Sequence, residues 1–174
     1  MKTILNGRGV TKIYHFTDRG NIPSIIANGG ILSLRRLEEK SVEGVIYGGN
    51  NWSHDADRFK GVDEFVHLAF LNQHPMAYTA VSNGRINSIC WLEITLQILD
   101  IDGVRFCNDV SNKAGVDILA NAEAITSIDV EGIYDWLDFN EDGNMARKAR
   151  AEKSEVLIPN LVPLENILNI NNFI

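Results

Sequence analysis

The chain is short of positive charge: 16 lysines and arginines stand against 23 acids, a formal net charge of −7 over 174 residues. A protein biased this way does not coat nucleic acid or an anionic membrane through bulk charge, so a polyanionic ligand has to meet a local basic patch. It has no apolar run approaching the roughly 18 residues of a membrane span. The N-terminal MKTILNGRGV breaks at Asn6 and Gly7, before a signal-peptide core could form, so a cytoplasmic location without membrane contact is expected. The two cysteines, Cys90 and Cys107, sit in apolar stretches without CxxC spacing and read as buried free thiols. The four histidines, His15, His54, His67 and His74, have no HExxH or paired-carboxylate context, so no metal is expected. Phosphate-cradling GxxxxGK[ST] and GxGxxG loops are missing, as are nucleophile elbows, and P-loop, Rossmann and hydrolase readings lose their key parts. No repeat, low-complexity tract or Pro/Ser-rich linker divides the chain, and one domain over 1–174 is expected.

What is present is ordinary globular material, 45% apolar and 22% charged, which excludes a disordered or fibrous class. Residues 12–17 (KIYHFT) read as a strand rich in aromatic and β-branched side chains. A short helix follows, with Asn21 as its cap, Pro23 in its first turn and Gly29-Gly30 as a left-handed stop. Polar, glycine-rich 48–60 reads as a loop, and apolar runs at 64–71, 88–99, 104–107 and 155–159 as strands. Helices are expected at 115–124, 130–137 and 144–153, with a β-like or short helical tail at 164–170. Strands interleaved irregularly with helices indicate an α+β fold rather than a regular βαβ array.

Charge is unevenly placed. Six acids and no base occupy 129–142, and Arg147, Lys148, Arg150 and Lys153 follow at once. A solvated helix with an acidic approach explains this, and so does a phosphate-contacting patch. Glu155 then heads an otherwise apolar strand, an edge position that can also hold a catalytic carboxylate rigidly at a cleft rim. His15 within its strand and Arg58 in the polar segment have equally plain readings as a core histidine and a surface cation. The residues alone give candidates without a reaction.

Ile13-Tyr14-His15-Phe16-Thr17, with Asn21-Ile22-Pro23-Ser24-Ile25-Ile26 and Gly29-Gly30-Ile31-Leu32-Ser33, is the first of four ordered blocks that resemble the DarT family of nucleic-acid ADP-ribosyltransferases. Phe65-Val66-His67-Leu68-Ala69-Phe70 followed by Pro75-Met76-Ala77-Tyr78 is similar to the family's central aromatic strand and its continuation. Residues 104–114 (VRFCNDVSNKA) resemble a later strand and turn. Residues 151–159 (AEKSEVLIP), with Val162-Pro163-Leu164 behind, resemble the block carrying the catalytic glutamate. Together the blocks span about 12–170.

The resemblance implies an ADP-ribosyltransferase fold with a split central β-sheet around an NAD cleft. It implies a toxin that consumes NAD⁺ and transfers ADP-ribose to a base of single-stranded DNA, with a macrodomain antitoxin as partner. Breaking the bond from ribose C1′ to nicotinamide builds an oxocarbenium-like sugar that a carboxylate can stabilise, and the resemblance gives Glu155 this role and that of proton acceptor. It assigns the pyrophosphate to Arg58, the NAD ribose and nicotinamide side to His15 and Thr17, and the cleft lining to Asn21, Gly30, Ile31 and Leu32. Arg147, Lys148 and Arg150 would hold phosphates of the target strand. Two departures stand out: Ala69 occupies the place of a family tyrosine, leaving Phe70 or Phe65 to stack on nicotinamide, and Leu71-Asn72-Gln73-His74 replaces an expected proline and arginine. Thymine is the implied target, guanine comes next, and RNA or protein acceptors on the same fold stay open. A binding module that has lost transfer is the alternative of another class; it would bind NAD⁺ without releasing nicotinamide.

Overall fold

The computed structural model describes residues 1–173; position 174, the last of the expected domain, lies outside them. In chain order the elements are α1 (Lys2–Gly7), β1 (Lys12–Asp18), α2 (Ile22–Ala27), β2 (Gly30–Leu32), α3 (Leu34–Glu39), α4 (Asn51–Lys60), β3 (Phe65–Ala69) and α5 (Pro75–Ser82). Then follow β4 (Ile89–Thr95), β5 (Arg105–Cys107), α6 (Asn121–Ser127), α7 (Val130–Tyr134), α8 (Asn144–Ala151), β6 (Glu155–Pro159) and β7 (Leu161–Pro163). This is the mixed α+β class the sequence indicates.

The main sheet has five strands in the order β4-β1-β3-β6-β5, and β2 and β7 form a separate pair. Every pairing is antiparallel. β1 follows β4 along its whole length, from Lys12↔Thr95 to Asp18↔Ile89, and β3 follows β6 from Phe65↔Pro159 to Ala69↔Glu155. Between β1 and β3 the register holds a single pair, Tyr14↔Ala69. The sheet is therefore split at that seam, and the strands part beyond it.

Burial follows the two-residue period. In β4, Cys90, Leu92 and Ile94 are buried and alternate with half-buried neighbours, as a sheet covered on one face requires. Strand β6 is buried from Glu155 through Ile158 because β3 and β5 flank it and both faces are covered. Val156 and Ile158 join the main core with Leu5, Ile13, Leu68 and Phe106, whereas Leu157 packs with Val62 and Cys107 on the opposite face. The outer edge of β4 is closed by the C-terminal turn: Leu168 N–H donates to the Glu93 carbonyl, and Asn169 bonds both Glu93 N–H and the Trp91 carbonyl.

Several expected elements shift. The loop expected over 48–60 is helical from Asn51, because Asn50 caps the Ser53 N–H and left-handed Gly61 ends the helix at φ 72°; capping outweighs a polar composition. The helix expected at 115–124 begins only at Asn121, because Leu119 exchanges both backbone hydrogen bonds with Phe106 and extends the chain there. The other two stop early, at Tyr134 and Ala151. Asn21 does precede α2, but its side chain does not cap it. It donates to Thr17 Oγ1 and the Ile46 carbonyl and accepts from Ile46 N–H, tying the segment after α3 to β1.

Candidate active site

The opening of the sheet between β1 and β3 leads into a cleft of about 240 Å³. One wall is His15, Phe16 and Thr17 of β1 with Asn21; β2 supplies Gly30, Ile31 and Leu32; the segment before α4 supplies Gly48 and Gly49, and α4 itself Ser53, His54 and Asp57. The floor is Phe65, Val66 and His67 of β3 with Glu155, and Ser111 and Asn112 close the far side. Gly30 is irreplaceable: its φ is +146°, and a Cβ there would lie 2.1 Å from the Val162 carbonyl oxygen.

Sheet register builds the floor. Leu157 pairs with His67 and Ala69 with Glu155, so His67 and Glu155 are diagonal neighbours on one face. Cys107 pairs directly with Glu155 from the other side. Glu155 is only 6% exposed. Its Oε2 accepts from the Ser111 amide at 3.1 Å and lies 3.4 Å from His67 Nδ1, while Oε1 is 3.9 Å from His74 Nε2. Ser111 Oγ is 3.1 Å from the same His67 Nδ1, and His67 Nε2 donates to the Val62 carbonyl at 3.2 Å. His74 accepts the Met76 amide on Nδ1, which leaves Nε2 as the protonated nitrogen facing Lys153 carbonyl and Glu155.

These contacts set the charges. Burial opposes ionisation of Glu155, yet the bond and charge of His67, the polar His74 ring and the Ser111 amide outweigh it and hold the carboxyl below its ordinary range. Burial likewise disfavours the His67 imidazolium, and Glu155, Asp57 and the Val62 carbonyl overcome it, raising its pKa to about 9. His15 goes the other way: burial pushes it down to about 4, so its neutral ring donates from Nδ1 to the His67 carbonyl across the split, at 3.0 Å. Asp57, bonded to Asn112 Nδ2 at 2.9 Å, is raised by burial. Burial also keeps the Cys107 thiol protonated, and its Sγ lies 3.9 Å from Glu155 Oε2 as a weak donor.

Of the residues singled out in the sequence, the structure brings His15, Thr17, Asn21, Gly30, Ile31, Leu32 and Glu155 to this one cleft. It does not bring Arg58 there: on the outer side of α4 its guanidinium is held by Glu38 at 2.5 Å and Asp55 at 2.8 Å. Nor does it bring Phe70, whose ring is buried in the main core and whose carbonyl accepts from Tyr134. The aromatic surfaces in the cleft are instead Phe16 and Phe65. On α8, Arg147 is clasped by Asp129 and Glu131 and Lys148 donates to the Ile133 carbonyl, whereas Arg150 is exposed with no ion pair among the described residues. His67, Ser111, His74 and Asp57 are the site members that the sequence did not single out. Only the polar interruption of an apolar strand at His67 signalled any of them. Among the described residues no cluster of His, Cys, Asp and Glu could hold a metal ion, and no helix is long and apolar enough to cross a membrane.

The family profile described as ssDNA thymidine ADP-ribosyltransferase, DarT, matches residues 14–172. The chain belongs to the DarT family. DarT proteins are NAD-dependent ADP-ribosyltransferases acting on single-stranded DNA. The fold agrees. Thermus sp. 2.9 DarT in complex with ADP-ribosylated ssDNA superposes with a TM-score of 0.66 at 18% identity, over 90% of this chain and 78% of that one. The same protein in complex with NAD⁺ gives 0.60 at 17% identity, over 90% and 79%. Thermosipho africanus DarTG in complex with ADP-ribose gives 0.63 at 20% identity, over 90% of this chain but only 42% of that one. No curated protein matches the chain.

Proposed function

We propose that the cleft binds NAD⁺ and that this DarT-family chain transfers ADP-ribose to thymidine of single-stranded DNA, with Glu155 as the catalytic carboxylate. One observation carries the reading. Asp18, Asp63, Asp109 and Glu155 are the buried acids among the described residues, and of these only Glu155 lines the cleft. The others are engaged elsewhere: Asp18 accepts from the Gly20, Asn87 and Ser88 amides, Asp63 pairs with Arg35, and Asp109 with Lys113.

The residues fit NAD⁺ as a substrate. Apolar and aromatic walls from Phe16, Phe65, Ile31 and Leu32 suit its flat rings, and Thr17, Asn21 and His15 supply polar atoms among them. In the reaction the C1′–N bond breaks and nicotinamide leaves neutral with the electron pair. A ring nitrogen of the target base bonds to C1′, and its proton passes to Glu155 and then to solvent. Thymine has one ring N–H once its other nitrogen carries the sugar, so this proton accounting suits thymidine. Ionised Glu155 stabilises the positive charge that builds on the sugar before the new bond forms.

The relatives' complexes with NAD⁺ and with ADP-ribosylated ssDNA support this assignment of substrates. Arg150 is the residue of the α8 patch best placed to meet a strand phosphate, since Arg147 and Lys148 are already engaged. A macrodomain antitoxin is the proposed partner, and the cytoplasm, which holds NAD⁺ and transiently single-stranded DNA, the proposed location. The test is incubation with NAD⁺ and homopolymeric oligonucleotides of DNA and RNA, read by mass spectrometry. Thymine-containing DNA should gain one ADP-ribose per nicotinamide released, and Glu155→Ala should abolish it. Transfer that survives this substitution sinks the assignment of Glu155; labelling of RNA alone sinks the substrate.

A further inference from the structure

We propose that His67 is the positioning residue of the site: as an imidazolium it joins the Ser111 amide in fixing Glu155 Oε2, and so holds the carboxylate ionised and in place at the cleft. The inference rests on the reading of Glu155 as the catalytic carboxylate.

Hydrogen-bond accounting supports it. The Val62 carbonyl can only accept, so His67 Nε2 carries a proton. Nδ1 faces a carboxylate oxygen at 3.4 Å and the Ser111 hydroxyl at 3.1 Å. The hydroxyl can donate or accept, but an ionised carboxylate can only accept, and with the Asp57 charge also nearby it favours a second proton on Nδ1; the ring is then a cation. The cleft also needs one. Its lining includes no lysine or arginine among the described residues, because Arg58 is turned to Glu38 and Asp55. A buried carboxylate without a partner would take up a proton and lose the charge on which oxocarbenium stabilisation depends.

The groups facing His67 come from four directions. Glu155 approaches from β6 and Asp57 from α4, and both favour the cation; the neutral His15 ring of β1 bonds the His67 carbonyl; Ser111 and Val62 supply uncharged oxygens. The register between β3 and β6 fixes the diagonal contact, and pairing of Cys107 with Glu155 closes the other side. Glu155 Oε2 thus meets the Ser111 amide at 3.1 Å, His67 Nδ1 at 3.4 Å and the Cys107 thiol at 3.9 Å, while Oε1 lies 3.9 Å from His74 Nε2.

The experiment uses the full chain and four proteins: wild type, His67→Gln, His67→Lys and Glu155→Gln. His67→Gln keeps a donor but not a charge, and its kcat for nicotinamide release should fall about 100-fold with KM for NAD⁺ little changed. The wild-type rate should decline as the pH rises through about 9; His67→Gln should lack that decline and lose activity at a higher pH on the acid side. His67→Lys, which restores charge, should recover part of the rate. Independently of turnover, the His67 ring resonance should titrate at least one pH unit lower in Glu155→Gln. An unchanged pH profile in His67→Gln, or an unmoved titration in Glu155→Gln, overturns the inference while leaving Glu155 catalytic. Transfer that persists undiminished in Glu155→Gln overturns the reading beneath it, and the inference with it.

Discussion

The cleft floor and the surface of α7 and α8 both bring acids and bases together, and they treat them in opposite ways. On the floor, Glu155 and His67 share Ser111, and each is held by partners arriving from different strands and loops. On the surface, Arg147 bonds Asp129 and Glu131 while both acids keep water contact, and Lys148 reaches Glu152 at 3.8 Å. Charge out of water must be paired and fixed, so its geometry is informative about chemistry. Charge in water pairs weakly and exchangeably. A run of cations in a sequence is thus a poorer guide to function than one carboxylate at the head of a buried strand.

Substitutions can break this contrast. The largest effect is expected from Glu155→Gln, which keeps shape and removes charge: the transfer rate should fall by about 10²–10³-fold or more, measured as nicotinamide release, with the melting temperature little lowered. Next comes pH. The folded His67 pKa is raised, so its stabilising contribution is complete below its unfolded value and should be lost as the pH rises through about 9. Glu155 is lowered, so its contribution is present above its unfolded value and should be lost as the pH falls through the folded one. Melting curves across pH should show both flanks, and His67→Gln should flatten the alkaline one.

On the surface the expected changes are smaller and differ between neighbours. Arg150→Ala should weaken binding of a single-stranded oligonucleotide several-fold and reduce the salt slope by about 0.7, one phosphate contact on a single strand. Arg147→Ala, whose guanidinium is already engaged with Asp129 and Glu131, should do less; anisotropy titrations over a range of salt compare the two. Equal slopes would erase the distinction between an engaged and an available arginine. The smallest effect belongs to Arg58→Ala. It should lower the melting temperature little, as loss of an exposed pair does, and leave kcat within about threefold of wild type. A collapse of transfer in that variant would return Arg58 to the active site.

Much of this molecule is legible in its sequence. The aromatic and β-branched run of β1, the apolar runs of β4 and β6, the Pro-started α2 and the buried thiols follow from local pattern, and the blocks around His15, Gly30 and Glu155 carried the family. The missed helix α4 shows the limit of composition, since Asn50 and Gly61 marked its ends more clearly than its polar interior denied it. The displaced α6 shows the limit of local propensity, because the exchange between Phe106 and Leu119 is a tertiary event.

Sequence by itself determined the α+β class, the cleft-forming strands, the carboxylate heading β6 and membership of the DarT family. These depend on residues acting within a few positions of one another, or on ordered blocks. Only the tertiary structure decided that His67 stands beside Glu155, that Arg58 faces outward, that Phe70 belongs to the core and that Arg147 is already engaged. Each of those depends on which residues sheet register and helix orientation bring together across long stretches of chain, and no spacing along the chain records that pairing.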